Sequence, residues 1–216
     1  QEIKSNPEIV RRITNIKEWR SNSKKAATRK WADYPTLFME DRQPENNYLM
    51  IPVVSSEIRK YIPIGFLSKE VIANYSAFIL PKATIFEFGI ITSMMHMTWV
   101  KYTCGRLKSD FRYSNKLVYN NYPFPKEPSS QHTEKVSQLA QKVLDVRASF
   151  PESSLADLYH PLTMPPALVK AHQALDKAVD LCYRAQAFPN ENSRIEFLFD
   201  LYNQYTAPLL NQKKKK

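Results

Sequence analysis

The chain has 216 residues, 43% of them hydrophobic and 12% aromatic, and a formal net charge of +10. This supports a real core in one large domain or two small ones. No apolar run is long enough to cross a bilayer. The start, QEIKSNPEIVRR, lacks the apolar core of a secretory signal. Cys104 and Cys182 fit no zinc spacing and read as reduced, buried cysteines of a cytosolic protein. The charge is uneven. Residues 1–126 hold twenty Lys and Arg against eleven Asp and Glu, net +9, whereas residues 127–212 are net −3 and Lys213–Lys216 add four. The excess favours an anionic partner for the first part. The chain opens on Gln, which suggests a piece of a longer protein.

In chain order, Pro7-Glu8 predicts a short helix through Val10, Ile13 and Ile16. The basic run between Trp19 and Trp31 then reads either as a solvated loop or as a phosphate-contacting segment pinned to the core by its two tryptophans. Tyr48–Val54, Tyr61–Phe66 and Tyr75–Leu80 read as short strands. Pro52 and Pro63 predict edge or bulged positions for the first two. Ser55, Ser56, Arg59 and Lys60 lie on the connection between them. Their hydroxyls and charges suit phosphate contact, and a plain solvated turn fits as well. Residues 84–103 read as one helix, apolar on nearly all sides and therefore buried, with Gly105 as a left-handed stop. His96 on it reads as a packed core histidine.

Cys104 to Pro125 is the densest stretch of chemistry. Arg106, Lys108, Arg112 and Lys116 recur around one acid, Asp110. Taken as one strand, Lys108, Asp110 and Arg112 share one face, and Ser109, Phe111 and Tyr113 share the buried one. A donor, an acceptor and a donor in a row can read base edges: Lys donates to guanine, and Asp accepts from cytosine. A surface strand of balanced charge is the plainer reading. Beyond KEPSSQH, apolar residues recur at helical spacing at Val136, Leu139, Val143 and Val146, and again at Leu168, Ala171, Leu175, Ala178 and Cys182 after Pro165-Pro166. Ser193 and Glu196 suit a capping box ahead of Ile195, Leu198, Phe199 and Tyr202. The fold class expected is α+β: a proline-punctuated, β-rich part over residues 1–126 with one buried helix, then an all-α part over 127–216 that acts as scaffold and ends in a disordered basic tail.

Gly105 to Ser114, with Leu117-Val118-Tyr119-Asn120-Asn121-Tyr122-Pro123-Phe124-Pro125, resembles the target-recognition region of MmeI-type enzymes, which are single-chain type II restriction–modification proteins. Arg42-Gln43-Pro44 and Ser55 to Phe66 match the same region. Leu158 to Pro166 and Ala171 to Val179 resemble the family's C-terminal helical segment. The resemblance implies sequence-specific recognition of double-stranded DNA for an adenine-N6 methyltransferase. It also implies S-adenosylmethionine bound upstream of this chain, an upstream methyltransferase domain in the same polypeptide as partner, and a bacterial cytoplasmic setting. The base-reading set expected is Lys108, Asp110 and Arg112. The phosphate-contact set is Arg106, Lys101, Ser109, Ser114, Lys116, Arg59, Lys60, Ser55 and Ser56.

Catalytic motifs are missing. There is no G-x-G cofactor loop and no PD-(D/E)xK pattern, and no nucleophile is paired with a base. Asn120-Asn121-Tyr122-Pro123 lacks the adjacent prolines of the Asn-Pro-Pro-Tyr motif and is rejected as catalytic. Methyl transfer and cleavage are therefore expected of other sequence. Two further readings stand beside DNA recognition: a general RNA or single-strand module, whose aromatics stack on bases, and a protein-interaction domain docking an acidic partner.

Overall fold

In a computed structural model the described residues are 5–40 and 42–213, and they form an α+β fold in two compact units, residues 1–43 and 44–216. The first unit opens with α1 (Pro7–Ser21), followed by the single turn α2 (Ala26–Arg29). Asn6 starts α1 by accepting the amides of Glu8 and Ile9, and Pro7, which has no amide hydrogen to lose, follows at the first helical position. Glu8 then pairs with Arg11 and Arg12 one turn on, at 2.9 and 3.0 Å.

The second unit carries two small antiparallel sheets. In the first, β1 (Tyr48–Pro52) lies between β3 (Gly65–Leu67) and β4 (Ala77–Pro81). The first of the two strands expected at an edge or bulged position is thus the central one. Its proline is tolerated because β3 pairs only Tyr48 to Met50, so Pro52 has a neighbour on the β4 side alone. Of Tyr61 to Phe66, only the end is strand. Tyr61, Ile62 and Ile64 are buried as irregular chain. The second sheet orders β2 (Val54–Ser55), β6 (Asp110–Arg112) and β5 (Gly105–Leu107), with β6 in the middle.

The expected helix over 84–103 is two helices, α3 (Ile85–Ile91) and α4 (Met94–Thr103). Thr92 and Ser93 break it. Ser93 Oγ donates to the Ile90 carbonyl at 2.6 Å and accepts the His96 amide, so its side chain ends one helix and starts the next. Met95 to Val100 are all buried, as the all-round apolar pattern required. Gly105 is not a left-handed stop. Cys104 leaves α4 already extended, no glycine has positive φ, and Gly105 begins β5 directly.

The C-terminal helices are α5 (Ser130–Ala148), the short α6 (Leu155–Leu158), α7 (Pro166–Tyr183) and α8 (Glu191–Lys213). Val136, Val143, Leu168, Leu175 and Val179 face inward at helical spacing. At the start of α8, Ser193 pairs with Asn190 and not with the predicted Glu196: Asn190 Oδ1 accepts the Ser193 amide at 2.9 Å and Ser193 Oγ accepts the Asn190 amide at 3.4 Å. One continuous core joins these helices to the sheets, running from Leu49 through Phe88 and Phe111 to Leu198. A close approach within it is Gly89 on α3. A Cβ there would lie 2.8 Å from Val136 Cγ1 and 3.2 Å from Ala140 Cβ, so glycine is what lets α3 and α5 meet this closely. Lys214–Lys216, most of the tail expected to be disordered, lie outside the described residues.

Candidate nucleic-acid interface

The stretch from Gly105 to Arg112 is a β-hairpin, not the single strand expected from its alternation. Leu107 pairs with Asp110, leaving Lys108 and Ser109 as a two-residue turn. Lys108 has φ 56° and Ser109 is not in the positive region. That sign pattern belongs to a type II′ turn, whose first central position normally goes to glycine. Lys108 is therefore at the tip and off the strand face that Asp110 and Arg112 share. Phe111 and Tyr113 are buried on the opposite side, as read from the sequence, whereas Ser109 is exposed in the turn.

The tip is braced from within. Arg106, opposite Phe111, lays its guanidinium 4.1 Å above that ring and donates to the Ser109 carbonyl at 2.9 Å. Asp110 Oδ1 accepts the Glu57 amide at 3.2 Å, and the Glu57 carboxylate lies 3.8 Å from Arg106. These contacts join the hairpin to the Ser56–Lys60 loop as one surface. Ser56 opens that loop, its carbonyl accepting the Arg59 amide at 3.2 Å. Lys60 holds its ammonium 5.5 Å over the Tyr61 ring. Nothing in the sequence marks Glu57 as a brace, because its partner is 53 residues away. Arg106 over Phe111 becomes legible only once the hairpin register is known.

Among the described residues, Lys108, Arg112, Lys116 and Lys60 have no acidic side chain within ion-pair distance. Lys108, Arg112, Lys116 and Lys60 are exposed. Lys116 rides on a five-residue π-helical turn, Asn115–Tyr119, started by the Ser114 hydroxyl, which accepts the Leu117 amide at 3.3 Å. Three expected phosphate donors are placed otherwise. Ser55 is buried, because it shares the Phe111 face of β2. Lys101 pairs with Glu191 of α8 at 2.5 Å. Ser114 is occupied as the cap just described. In the first unit, Trp19 does not pin the basic run, being 66% exposed. Arg20 does: its buried guanidinium donates to the carbonyls of Trp31, Tyr34 and Leu37 at 3.1, 2.6 and 2.8 Å.

Behind the loop, burial alone drives the His96 imidazole down to about 3, and it meets the Tyr113 hydroxyl at 2.9 Å. His172 is held well below its ordinary value, first by burial and then by the charges of Arg147 and Lys60. Neither forms a metal cluster: among the described residues no three His, Cys, Asp or Glu side chains come together. Both are neutral core histidines.

A braced, cation-tipped hairpin on a small sheet suits a recognition module. Comparison with known proteins agrees. The family model described as MmeI, target recognition domain, matches residues 1–126, and that described as MmeI, C-terminal domain, matches residues 128–210. The chain belongs to this MmeI family. It is 39% identical over 206 residues to DNA methyltransferase A of Bacillus subtilis (strain 168), covering 95% of this chain and 23% of that protein. It superimposes with a TM-score of 0.87 and 41% identity on the Type IIL restriction–modification enzyme MmeI solved in complex with DNA, covering 95% of this chain and 27% of that one. The chain thus spans about a quarter of the length of each. Among the described residues, no helix is long and apolar enough to cross a membrane.

Proposed function

We propose that this chain is the target-recognition part of a site-specific adenine-N6 DNA methyltransferase or restriction enzyme. In this reading it grips double-stranded DNA while the methyltransferase domain of the same polypeptide, upstream, takes the adenine out of the stack. The observation that carries it is the hairpin tip. Lys108 is held in a strained backbone region at the outermost point of a rigid turn, beside an acid whose Oδ1 is spent on bracing. Lys108 donates to a guanine edge, Asp110 accepts from a cytosine amino group through Oδ2, and Arg112 reads a neighbouring base or a phosphate. Arg106, Ser109, Lys116, Arg59, Lys60 and Ser56 contact phosphates, and Ser55, Lys101 and Ser114 serve the fold instead. Residues 1–126 are assigned to the recognition domain and 127–216 to the helical domain. A bacterial cytoplasmic setting goes with this assignment.

The described residues do not fit S-adenosylmethionine. Its three glycines all have negative φ, and Gly89 is pressed between helices, so none opens a cradle for the cofactor. The cofactor belongs, in this reading, to the upstream domain, and no chemical step runs through the residues described. The test is the methylation site of the longer enzyme carrying Lys108→Glu with Asp110→Arg. The paired change favours the reversed C·G pair at that position, and each single change mainly weakens binding, with about 1–3 kcal/mol of discrimination at stake. Modification of the unchanged site at an undiminished rate excludes these residues as base readers.

A further inference from the structure

The hairpin is not the strongest concentration of uncompensated charge. Between Trp19 and Ala32 the chain carries Arg20, Lys24, Lys25, Arg29 and Lys30 and no acid. The acids nearest in sequence are Glu18 and Asp33, and Asp33 is already paired with Lys17 at 3.2 Å. The two arginines are spent on backbone. Arg20 donates to three carbonyls, and Arg29 donates to the carbonyls of Ser23 and Lys24 at 2.8 and 3.1 Å. Carbonyls satisfy the guanidinium hydrogen bonds without cancelling the charge. The turn between α1 and α2 is therefore stapled in place by cations, and Lys24, Lys25 and Lys30 remain on it, all exposed and with no acidic side chain within ion-pair distance among the described residues. By contrast, Arg11, Arg12, Lys17 and Arg42 elsewhere in this unit each have a carboxylate. A turn fixed in place that presents three exposed, uncompensated cations concentrates positive potential where an anion can dock.

We infer that Lys24, Lys25 and Lys30 form a second, sequence-independent contact to the phosphates of duplex DNA, separate from the hairpin. This rests on the DNA-recognition reading above. Such a contact supplies grip without selectivity, because phosphates carry no base information.

The test is duplex affinity against salt, for the full chain and for Lys24→Gln/Lys25→Gln/Lys30→Gln. A charge-matched control, Lys135→Gln/Lys142→Gln/Lys177→Gln, alters exposed positions of α5 and α7. The first triple variant is expected to lower the salt slope by about 2–3, near 0.9 for each phosphate lost, equally on cognate and unrelated duplexes. The control is expected to keep the wild-type slope. Equal losses in both triples reduce the effect to net charge and overturn the inference. So does an unchanged slope in the first triple while wild type binds. A wild-type chain that binds no duplex overturns this inference and the DNA-recognition reading together, whereas a hairpin variant that loses selectivity but keeps its slope leaves both standing.

Discussion

The Tyr61 hydroxyl donates to the Asp176 carboxylate across 2.7 Å, joining the segment that follows the Ser56–Lys60 loop to the middle of α7. Asp176 Oδ1 also accepts the Met94 amide at 2.8 Å, so one buried carboxylate holds both the loop segment and the start of α4. Arg147 of α5 adds a third tie, donating to the Ile64 carbonyl at 2.7 Å and to the Tyr159 hydroxyl. His172 stacks on Tyr61 at 4.1 Å and meets Tyr159 at 2.6 Å. The C-terminal helices thus hold the chain immediately behind the proposed DNA-facing loop. Tyr61→Phe keeps the ring and removes the donor, leaving a buried carboxylate short of a partner. It is expected to cost about 1–3 kcal/mol in urea unfolding. Unchanged stability means the bond contributes nothing.

The same cluster sets a pH dependence. Burial raises Asp176 to about 6, offset in part by the Met94 amide, the Tyr61 hydroxyl and the Lys60 charge. His96 and His172 are lowered. Each histidine holds its proton more readily unfolded than folded, so acidification through and below the ordinary histidine range destabilises. Asp176 acts in the opposite sense, being protonated when folded and ionised when unfolded. Two histidines against one carboxylate are expected to leave a net loss of stability on going down from pH 6 to pH 4. Asp176→Asn removes the opposing contribution and is expected to steepen that loss. Urea unfolding at pH 4, 5 and 6 measures both slopes, and constant stability over that range contradicts the assignment.

What could be read from the sequence was whatever obeys local periodicity. The stripes of α5 and α7, the buried Phe111 and Tyr113, and the α+β division all follow from spacing. The basic stretch around Asp110 was legible as a unit, but its turn was not. Lys108-Ser109 carries none of the Asn, Asp or Gly that mark a two-residue hairpin, so alternation ran on through it. The break at Thr92–Ser93 was hidden for a related reason. A hydroxyl that ends a helix looks, in sequence, like one more small residue on a buried face. Arg20, Glu57, Tyr61 and Asp176 were out of reach because their partners are fixed by tertiary contact. Arg20 looked like one charge in a basic run, and only the carbonyls of residues 31–37 reveal it as the pin.

Gly89 tests the packing of α3 on α5. Alanine normally stabilises a helix by about 1 kcal/mol over glycine. Here its methyl would stand 2.8 Å from Val136 Cγ1 and 3.2 Å from Ala140 Cβ, so the packing of α3 on α5 must shift. Overpacking is expected to win, with Gly89→Ala destabilising by about 1–3 kcal/mol. Val136→Ala makes room for that methyl, so the double variant is expected to lose less than the two single losses together. Strict additivity in a thermal or urea cycle would falsify the close contact.

Lys108 offers the sharpest separation of stability from function. A lysine with φ 56° bears the clash between Cβ and the following carbonyl that glycine escapes, about 1 kcal/mol. Nothing inside the protein repays it, because among the described residues the Lys108 side chain has no ion-pair partner and is exposed. Glycine is the residue the turn itself prefers. Lys108→Gly is therefore expected to raise stability by about 0.5–1 kcal/mol, with the hairpin register intact. If Lys108 reads a guanine, the same variant loses discrimination at one base pair by about 1–3 kcal/mol. A residue kept at a cost to the fold, whose removal stabilises the protein and relaxes its selectivity, is held there for what it touches outside the molecule. Thermal unfolding and competition between duplexes differing at single base pairs measure the two effects separately. A Lys108→Gly chain that is more stable and equally selective would leave the strained tip without a reading role.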